Sequence, residues 1–359
     1  MWTLAIGGAE RAVYQLVLAQ REAGIEAGAL VASDFGLYGD RLLAQGVTVE
    51  TLRQRRGFDV AACARARSIV SNWDPVHFHV AEPLLMLAAA RRHSRLYYTH
   101  RGGAFRYDRK QRLRYKAAGM IMRRRFTGMV GNTAHAADAA SDLFAVPRAR
   151  IGVVYNGVDW SILRPERDRS DVRAELDLRP GAVLLGTSAN LRDWKRIDMV
   201  IRALAQTPRD VVFVVVGDGP ARAPLETLAR ELGVGERVRF TGKRSNVADF
   251  LQIFDAFVLP SGPLESFGNS AVEAMGWGLP TIVLQDGGGL VEHIVHGETG
   301  VVATGEADMA GWITCLAGDV ALRRSMGTRA RDFVREKYTV ERMVRGYSDL
   351  YAASWRSRS

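Results

Sequence analysis

Short apolar runs rich in β-branched residues alternate with helix-like stretches along the chain. Val76–Val80, Val211–Val216 and Thr281–Leu284 are such runs, and each precedes a stretch with helical character. This alternation is typical of parallel sheets covered by helices on both faces. The sequence therefore predicts an α/β fold class made of doubly wound parallel sheets.

The length of 359 residues fits two domains rather than one. A charged, proline-containing stretch at 158–180 is a linker candidate. We predict an N-terminal domain over 1–163, a second domain over 164–337, and a helix over 338–359 that crosses back to the first domain. Only Thr3–Ile6 precedes the first helix, so the first strand of the N-terminal domain is expected to be short or missing. Two open sheets that face each other leave a cleft at the carboxyl ends of their strands, where ligands bind.

Composition excludes several classes of protein. With 47% apolar and 25% charged residues, the chain is neither disordered nor collagen-like. No apolar run approaches the ~20 residues of a membrane span. No secretory leader is visible, and Cys63 and Cys315 provide neither a disulfide framework nor zinc-type spacing. We therefore expect a cytoplasmic protein without a metal.

Positive charge is concentrated in one segment. The formal net charge is +10, and residues 101–125 contain ten basic residues and one acidic residue. Such a surface favours an anionic partner. Within it, Leu113, Ala117, Met120 and Ile121 recur at helical spacing, which predicts one apolar face surrounded by arginines. Either this helix lies on an anionic membrane, or its apolar face packs in the core and its basic face is solvated.

Two glutamates flank a predicted helix start. A strand ends at Pro260 and a helix begins near Gly268, so its first N–H groups can hold an anion. Glu265 precedes this helix start and Glu273 lies inside the helix. Carboxylates accept hydrogen bonds from neighbouring sugar hydroxyls, so the pair is typical of a nucleotide-sugar site. Alone, the two residues could equally be exposed glutamates at an ordinary helix start.

Two cations are expected at the same sheet edge. Arg192 and Lys195 follow the strand Val183–Gly186 and would neutralise a diphosphate and stabilise it as a leaving group. The alternative is a solvated turn before a helix. Gly217 and Gly219 follow the next strand and allow the backbone to approach a ligand, although a plain turn would use the same residues.

The order of these motifs resembles one known family. ANLRDWK, VVVGDGP, FVLPSGPLESFGNSAVEAMGWGLPTIV and GGLVEHIVHGETG occur in sequence, and GGAE, DPVHFH, THRGG and VYNGVD precede them. The chain is similar to family-4 retaining glycosyltransferases, which have the GT-B fold of two Rossmann-like domains. The resemblance implies an N-terminal acceptor domain and a C-terminal nucleotide-sugar donor domain.

The resemblance also implies residue roles. Glu265 would hold the donor sugar, Glu273 the ribose, and Arg192 and Lys195 the diphosphate. His100 would lie near the transferred sugar. The remaining expected binding residues are Gly7 and Gly8 at the first helix, Gly217 and Gly219, Arg244 beside the base, and the backbone of Phe267, Gly268 and Asn269. The chain departs from the family where Arg196 replaces a glycine after Lys195 and where Asn190 occupies the usual arginine position.

The predicted function is retaining transfer of a sugar from a nucleotide-diphosphate donor to a glycan or lipid-linked acceptor in cell-surface polysaccharide or glycolipid synthesis. UDP-sugar is the chosen donor because UDP-sugars are common in the family; the residues themselves leave the base and the sugar open. No cofactor is expected beyond this donor. No nucleic-acid partner is expected, and an anionic membrane surface could bind through 101–126 at the inner face of the cytoplasmic membrane. The alternatives are a GT-B-fold epimerase or phosphorylase, and a non-catalytic nucleotide-sugar-binding protein.

Overall fold

The computed structural model describes residues 1–5, 7–54, 59–90, 95–103 and 107–352. The chain divides into two compact units: Met1–Val158 with Tyr338–Ser359, and Asp159–Lys337. The division lies five residues before the predicted boundary at 163/164. Ile6 of the expected first strand, 104–106 of the basic segment and 353–359 of the C-terminal segment lie outside the described residues.

The first unit contains a two-stranded and a four-stranded parallel sheet. The strands are β1 (Ala29–Val31), β2 (Val49–Thr51), β3 (Val76–Phe78), β4 (Leu96–His100), β5 (Gly128–Gly131) and β6 (Ile151–Val153). β1 pairs with β2, and the second sheet has the order β3-β4-β5-β6. The helices before and between them are α1 (Gly8–Glu22), α2 (Gly36–Ala44), α3 (Val60–Val70), α4 (Pro83–Ala89), α5 (Arg109–Arg125) and α6 (Ala134–Phe144).

Residues 1–5 form no strand. Met1 nevertheless pairs with the end of β1: its ammonium donates to the Leu30 carbonyl at 2.9 Å, and the Ala32 amide donates to the Met1 carbonyl at 2.9 Å. Burial lowers the pKa of this ammonium to about 6. The expected first strand is therefore reduced to one short parallel pairing.

The second unit is one six-stranded parallel sheet with helices. Its strands are β7 (Val183–Ser188), β8 (Val211–Val216), β9 (Val238–Gly242), β10 (Ala256–Leu259), β11 (Thr281–Leu284) and β12 (Gly300–Ala303), in the order β12-β11-β10-β7-β8-β9. Its helices are α7 (Arg169–Glu175), α8 (Ile197–Leu204), α9 (Arg222–Glu231), α10 (Ala248–Leu251), α11 (Asn269–Gly276), α12 (Glu306–Gly318) and α13 (Val320–Lys337). β8 is buried on both faces, as expected for a central parallel strand covered by helices.

The last helix, α14 (Val340–Ala352), belongs to the first unit. Its buried Met343 and Tyr347 pack with Leu16 of α1 and Val154. Among the described residues, no helix has both the length and the apolar character required to cross a bilayer.

Only part of the apolar face predicted for α5 packs: Ile121 lies against the core and Ala117 is half-buried. The buried residues are Ala118, Gly119 and Met122, whereas Leu113 is 71% exposed and Met120 46% exposed. A Cβ at Gly119 would lie 1.8 Å from the Phe144 carbonyl oxygen, so α5 and α6 pack too closely for a larger side chain there. The close approach of the two helices at Gly119 therefore contributes to the choice of buried face, together with apolar side chains such as Met122.

Candidate functional site

Lys195 and Glu265 meet at the carboxyl edge of the sheet in the second unit. Lys195 ends a 3₁₀ turn after β7, and Glu265 lies in the loop between β10 and α11. β7 and β10 are parallel neighbours, so the loops that follow them lie side by side. Lys195 Nζ donates to Glu265 Oε2 at 2.5 Å, and each residue is only 9% exposed. The two residues predicted to act on the same donor therefore form a buried ion pair.

The main chain fixes this pair on both sides. The Gly262 amide donates to the Trp194 carbonyl, the Glu265 amide to the Gly262 carbonyl, and the Gly289 amide to the Glu265 carbonyl, each at 3.0 Å. Lys195 Nζ also lies 4.3 Å from the centroid of the Trp194 ring, a cation–π contact. The ammonium and the carboxylate are thus held by loops that are hydrogen-bonded to each other.

The entry into α11 requires a glycine. Gly268 has φ 72°, and a Cβ there would lie 2.1 Å from a methyl carbon of Leu290. The preceding Phe267 carbonyl accepts a hydrogen bond from His293 Nε2 at 2.7 Å. Burial lowers the pKa of His293 to about 3, so this histidine is neutral. Sequence reasoning did not single out His293, although it lies within the motif GGLVEHIVHGETG.

Asn269 and Glu273 belong to α11, and Glu273 is 3% exposed. The side chain that the resemblance assigns to the ribose is therefore almost fully buried in this unit. Arg192 precedes the 3₁₀ turn of Lys195 and is exposed. Arg192 lies near Lys195 along the chain, and its side chain makes no hydrogen bond or ion pair among the described residues.

Arg244 is engaged inside the unit. It forms an ion pair with Glu175 of α7, donates through Nε to the Thr241 carbonyl at 3.1 Å, and lies 5.3 Å from the centroid of the Phe250 ring. The stretch predicted as a linker thus contains a helix that anchors Arg244.

Gly217 and Gly219 bring two loops together. Their φ angles are 136° and 159°, and Cβ atoms would lie 1.9 Å from the Ala189 carbonyl oxygen and 2.4 Å from the Leu191 carbonyl oxygen, respectively. In this structure the glycines therefore permit contact with the loop after β7.

Sequence reasoning also missed a second ion pair beside the first. Arg196 Nη1 donates to both carboxylate oxygens of Asp286, at 2.8 and 2.7 Å. The guanidinium covers Gly262, where a Cβ would lie 3.0 Å from Cζ. Arg196 has φ 52°, a left-handed conformation that favours the glycine found in the family. The arginine in place of the family's usual glycine was the sequence signal that could have indicated this ion pair.

His100, Gly7 and Gly8 belong to the first unit. His100 ends β4 and is 6% exposed; its Nδ1 is 3.0 Å from the Tyr98 hydroxyl, and its Nε2 is buried without a partner among the described residues. Burial, with a smaller contribution from His135, lowers its pKa to about 4. Gly7 is the extended N-cap residue of α1, and Gly8 is the first residue of that helix.

Solved structures share this fold over almost the whole chain. A structure of Anabaena Alr3699/HepE in complex with UDP has a TM-score of 0.84 at 21% identity and covers 96% of each chain. WaaG, a glycosyltransferase involved in lipopolysaccharide biosynthesis, has a TM-score of 0.75 at 16% identity and covers 98% of each chain. The fold is that of the two-domain GT-B class, as the resemblance implied.

The sequence also matches two protein-family models, which identify a family and not only a fold. Residues 6–161 match Glycosyltransferase Family 4, and residues 168–333 match Glycosyl transferases group 1. The chain therefore belongs to the family-4 (group 1) glycosyltransferases, with one model matching each half.

Curated relatives match part of the chain. N-acetyl-alpha-D-glucosaminyl L-malate synthase of Bacillus anthracis is 36% identical over 212 residues, which are 57% of this chain and 54% of the relative. D-inositol 3-phosphate glycosyltransferase of Nocardia farcinica is 34% identical over 244 residues, which are 63% of this chain and 53% of the relative. The matched region thus spans about half the length of these relatives.

Proposed function

We propose that the protein transfers a sugar from a nucleoside-diphosphate sugar, specifically a UDP-sugar, to a glycan or lipid-linked acceptor of cell-surface polysaccharide or glycolipid synthesis. The buried Lys195–Glu265 pair at the sheet's carboxyl edge carries this proposal, because it places a cation beside a hydroxyl-binding carboxylate. The chain's membership in a glycosyltransferase family and the UDP and UDP-glucose complexes of HepE support it.

The ion pair leaves hydrogen-bonding groups of Lys195 and Glu265 available for the nucleotide-sugar donor. An ammonium has three N–H donors, and Lys195 gives one to Glu265. The others would bind the diphosphate, assisted by Arg192. Glu265 would accept from sugar hydroxyls with its remaining lone pairs, while the backbone at Phe267, Gly268 and Asn269 lies at the positive end of α11.

The remaining donor contacts follow from the family. Glu273 would hold the ribose, Arg244 would lie beside the base, and Gly217, Gly219, Gly7 and Gly8 would allow close backbone approach. Charge neutralisation by Lys195 and Arg192 would make the transfer metal-independent, so EDTA should leave the rate unchanged.

The proposed mechanism is retaining. Glu265 is assigned to sugar hydroxyls and no second carboxylate is assigned beneath the anomeric carbon, so we favour front-face transfer over double displacement. The departing diphosphate would help deprotonate the acceptor, with His100 near the transferred sugar. NMR of the fresh product tests this mechanism, and an inverted linkage would exclude it.

Calorimetric titration with UDP, GDP and ADP tests the donor site. We expect UDP to bind, and Glu273→Ala to abolish binding while the second unit, which contains Glu273, still shows a cooperative melting transition. Glu298→Ala, which changes an exposed glutamate in the turn before β12, is the control. Binding of GDP or ADP alone would correct the base, and failure of a folded protein to bind any of the three would reject the proposal.

Helix α5 favours contact with an anionic membrane. Exposed Leu113 and Met120 lie among its basic residues, and Arg124 and Arg125 are exposed at its end. Apolar side chains among cations suit a lipid interface. The parent protein should float with vesicles that contain anionic lipid, and a smaller fraction of the variant Leu113→Ser/Met120→Ser should float with them. Arg324→Ser on α13 is the control, and equal flotation of all three proteins would reject membrane contact.

A further inference from the structure

Arg101 lies just after β4, where its guanidinium is surrounded by neutral groups. Nη1 donates to Asn156 Oδ1, Nη2 donates to the Tyr347 hydroxyl at 3.0 Å, and Nε donates to His79 Nδ1 at 3.5 Å. These partners come from the segments after β6 and β3 and from α14, all within the first unit. Arg101 is half-buried, whereas Asn156 is 3% and Tyr347 0% exposed.

No carboxylate pairs with Arg101 in the part of the chain that the structure describes. The positions outside that part contain no aspartate or glutamate. Removing a guanidinium from water without a counter-charge is costly, and burial is normally accompanied by an anion. Arg95, before β4 in the same unit, has a carboxylate partner even though it is exposed: it forms an ion pair with Asp74 at 3.0 Å.

The surrounding groups hold Arg101 in place without neutralising it. His77 stacks on His79 with ring centroids 4.5 Å apart, and its Nδ1 and Nε2 lie 2.7 Å from the Tyr351 hydroxyl and 2.8 Å from the Thr99 hydroxyl. Burial, and then the charge of Arg101, lower the pKa of His77 to about 3. Burial, and then the neighbouring His77 and Arg101, lower the pKa of His79 well below its ordinary value. Both rings therefore stay neutral.

The position of Arg101 suits a ligand at the carboxyl edge of this sheet. Arg101 uses three of its five N–H groups on the neutral partners, which leaves two for a ligand. The amino terminus of α6 lies at the same edge, since the Asn132 amide donates to the His100 carbonyl at 3.1 Å. Its dipole adds positive potential there.

We propose that Arg101 binds an anionic group, a phosphate or a carboxylate, on the acceptor. This inference rests on the proposed function, which assigns the first unit to the acceptor. It narrows the acceptor to molecules that carry such a group near the hydroxyl that receives the sugar.

Calorimetry in the presence of UDP tests the site. The probes are D-inositol 3-phosphate for a phosphate, L-malate for a carboxylate, and myo-inositol as the neutral analogue of the first. We expect one anionic probe to bind and myo-inositol not to bind. Arg101→Gln should weaken anion binding about tenfold or more, since charge-assisted hydrogen bonds are lost. Arg95→Gln should not weaken it, and neither change should alter UDP affinity.

Asn156→Asp provides a second variant in case Arg101→Gln does not fold. It places a carboxylate on the atom that already accepts from Arg101, so we expect a higher melting temperature together with weaker anion binding. If Arg101 only anchors α14, Asn156→Asp will leave anion binding unchanged, and the inference fails. It also fails if UDP binds but no anionic probe does. Anion binding through Arg101 without UDP binding would uphold the anion site and reject the donor proposal.

Discussion

Replacing Lys195 with methionine removes one half of the buried ion pair. Lys195 Nζ and Glu265 Oε2 are 2.5 Å apart, and both residues are 9% exposed. The variant leaves the Glu265 carboxylate buried without its cation, which costs about 3–5 kcal/mol in comparable pairs. For a unit of this size, 1 kcal/mol corresponds to about 2–4 °C in melting temperature. The transition of the second unit should therefore fall by about 6–20 °C.

The double variant Lys195→Met/Glu265→Leu separates charge from packing. Two apolar side chains of similar volume leave no buried charge, and such replacements are often neutral or stabilising. We therefore expect the double variant to melt well above Lys195→Met, although it should no longer bind a donor.

Differential scanning calorimetry is the assay, because two units can melt in separate transitions. Arg331→Met is the control: its partner Asp332 is exposed, and the pair should contribute at most about 1 kcal/mol. The reasoning is refuted if Lys195→Met melts within about 2 °C of the parent, since the carboxylate would then be solvated rather than buried.

Three further predictions concern single residues. His100 has a pKa of about 4 in the folded protein and about 6.5 in the unfolded chain. Its contribution to stability is therefore lost as the pH drops from 6.5 to 4, by at most about 1.4 kcal/mol per pH unit. The melting temperature of His100→Asn should fall less steeply over that range than that of the parent protein. Residue 196 has a left-handed backbone conformation, which glycine adopts without strain and alanine does not. Arg196→Gly should therefore be about 1 kcal/mol more stable than Arg196→Ala in urea unfolding. Equal stabilities of the two variants would show that the backbone there is not strained. Gly268→Ala places a Cβ against Leu290, whereas Gly297→Ala, at φ 78°, meets nothing within 4 Å. The first should therefore lower the melting temperature more than the second, and a similar loss in both would show that the contact relaxes freely.

The fold and the placement of Lys195 and Glu265 at one sheet edge could be predicted from the sequence because their signals are local, whereas their ion pair was not predicted. Alternating apolar runs define parallel strands, and neighbouring strands place the residues after their ends side by side. Lys195 and Glu265 each follow such a strand, so their proximity follows from the order of the sheet.

Other contacts were not predicted because no local pattern in the sequence indicates which residue is the partner. Arg196 and Asp286 are 90 residues apart, and Arg101 and Tyr347 are 246 apart. No periodicity encodes such pairs. Part of the packed face of α5 was missed for another reason: helical spacing favours large apolar residues such as Leu113, whereas close contact with α6 requires Gly119.

The first unit is assembled from both ends of the chain, and this determines when it can be completed during synthesis. Asp159–Lys337 is continuous and can fold as soon as it leaves the ribosome. β3 is made early, but the hydrogen bond between His77 and Tyr351 joins residues 274 positions apart. Such distant contacts slow folding. The polar network around Arg101 therefore forms last, after the second unit has been made, so loss of α14 by truncation would open the first unit and leave the other sheet intact.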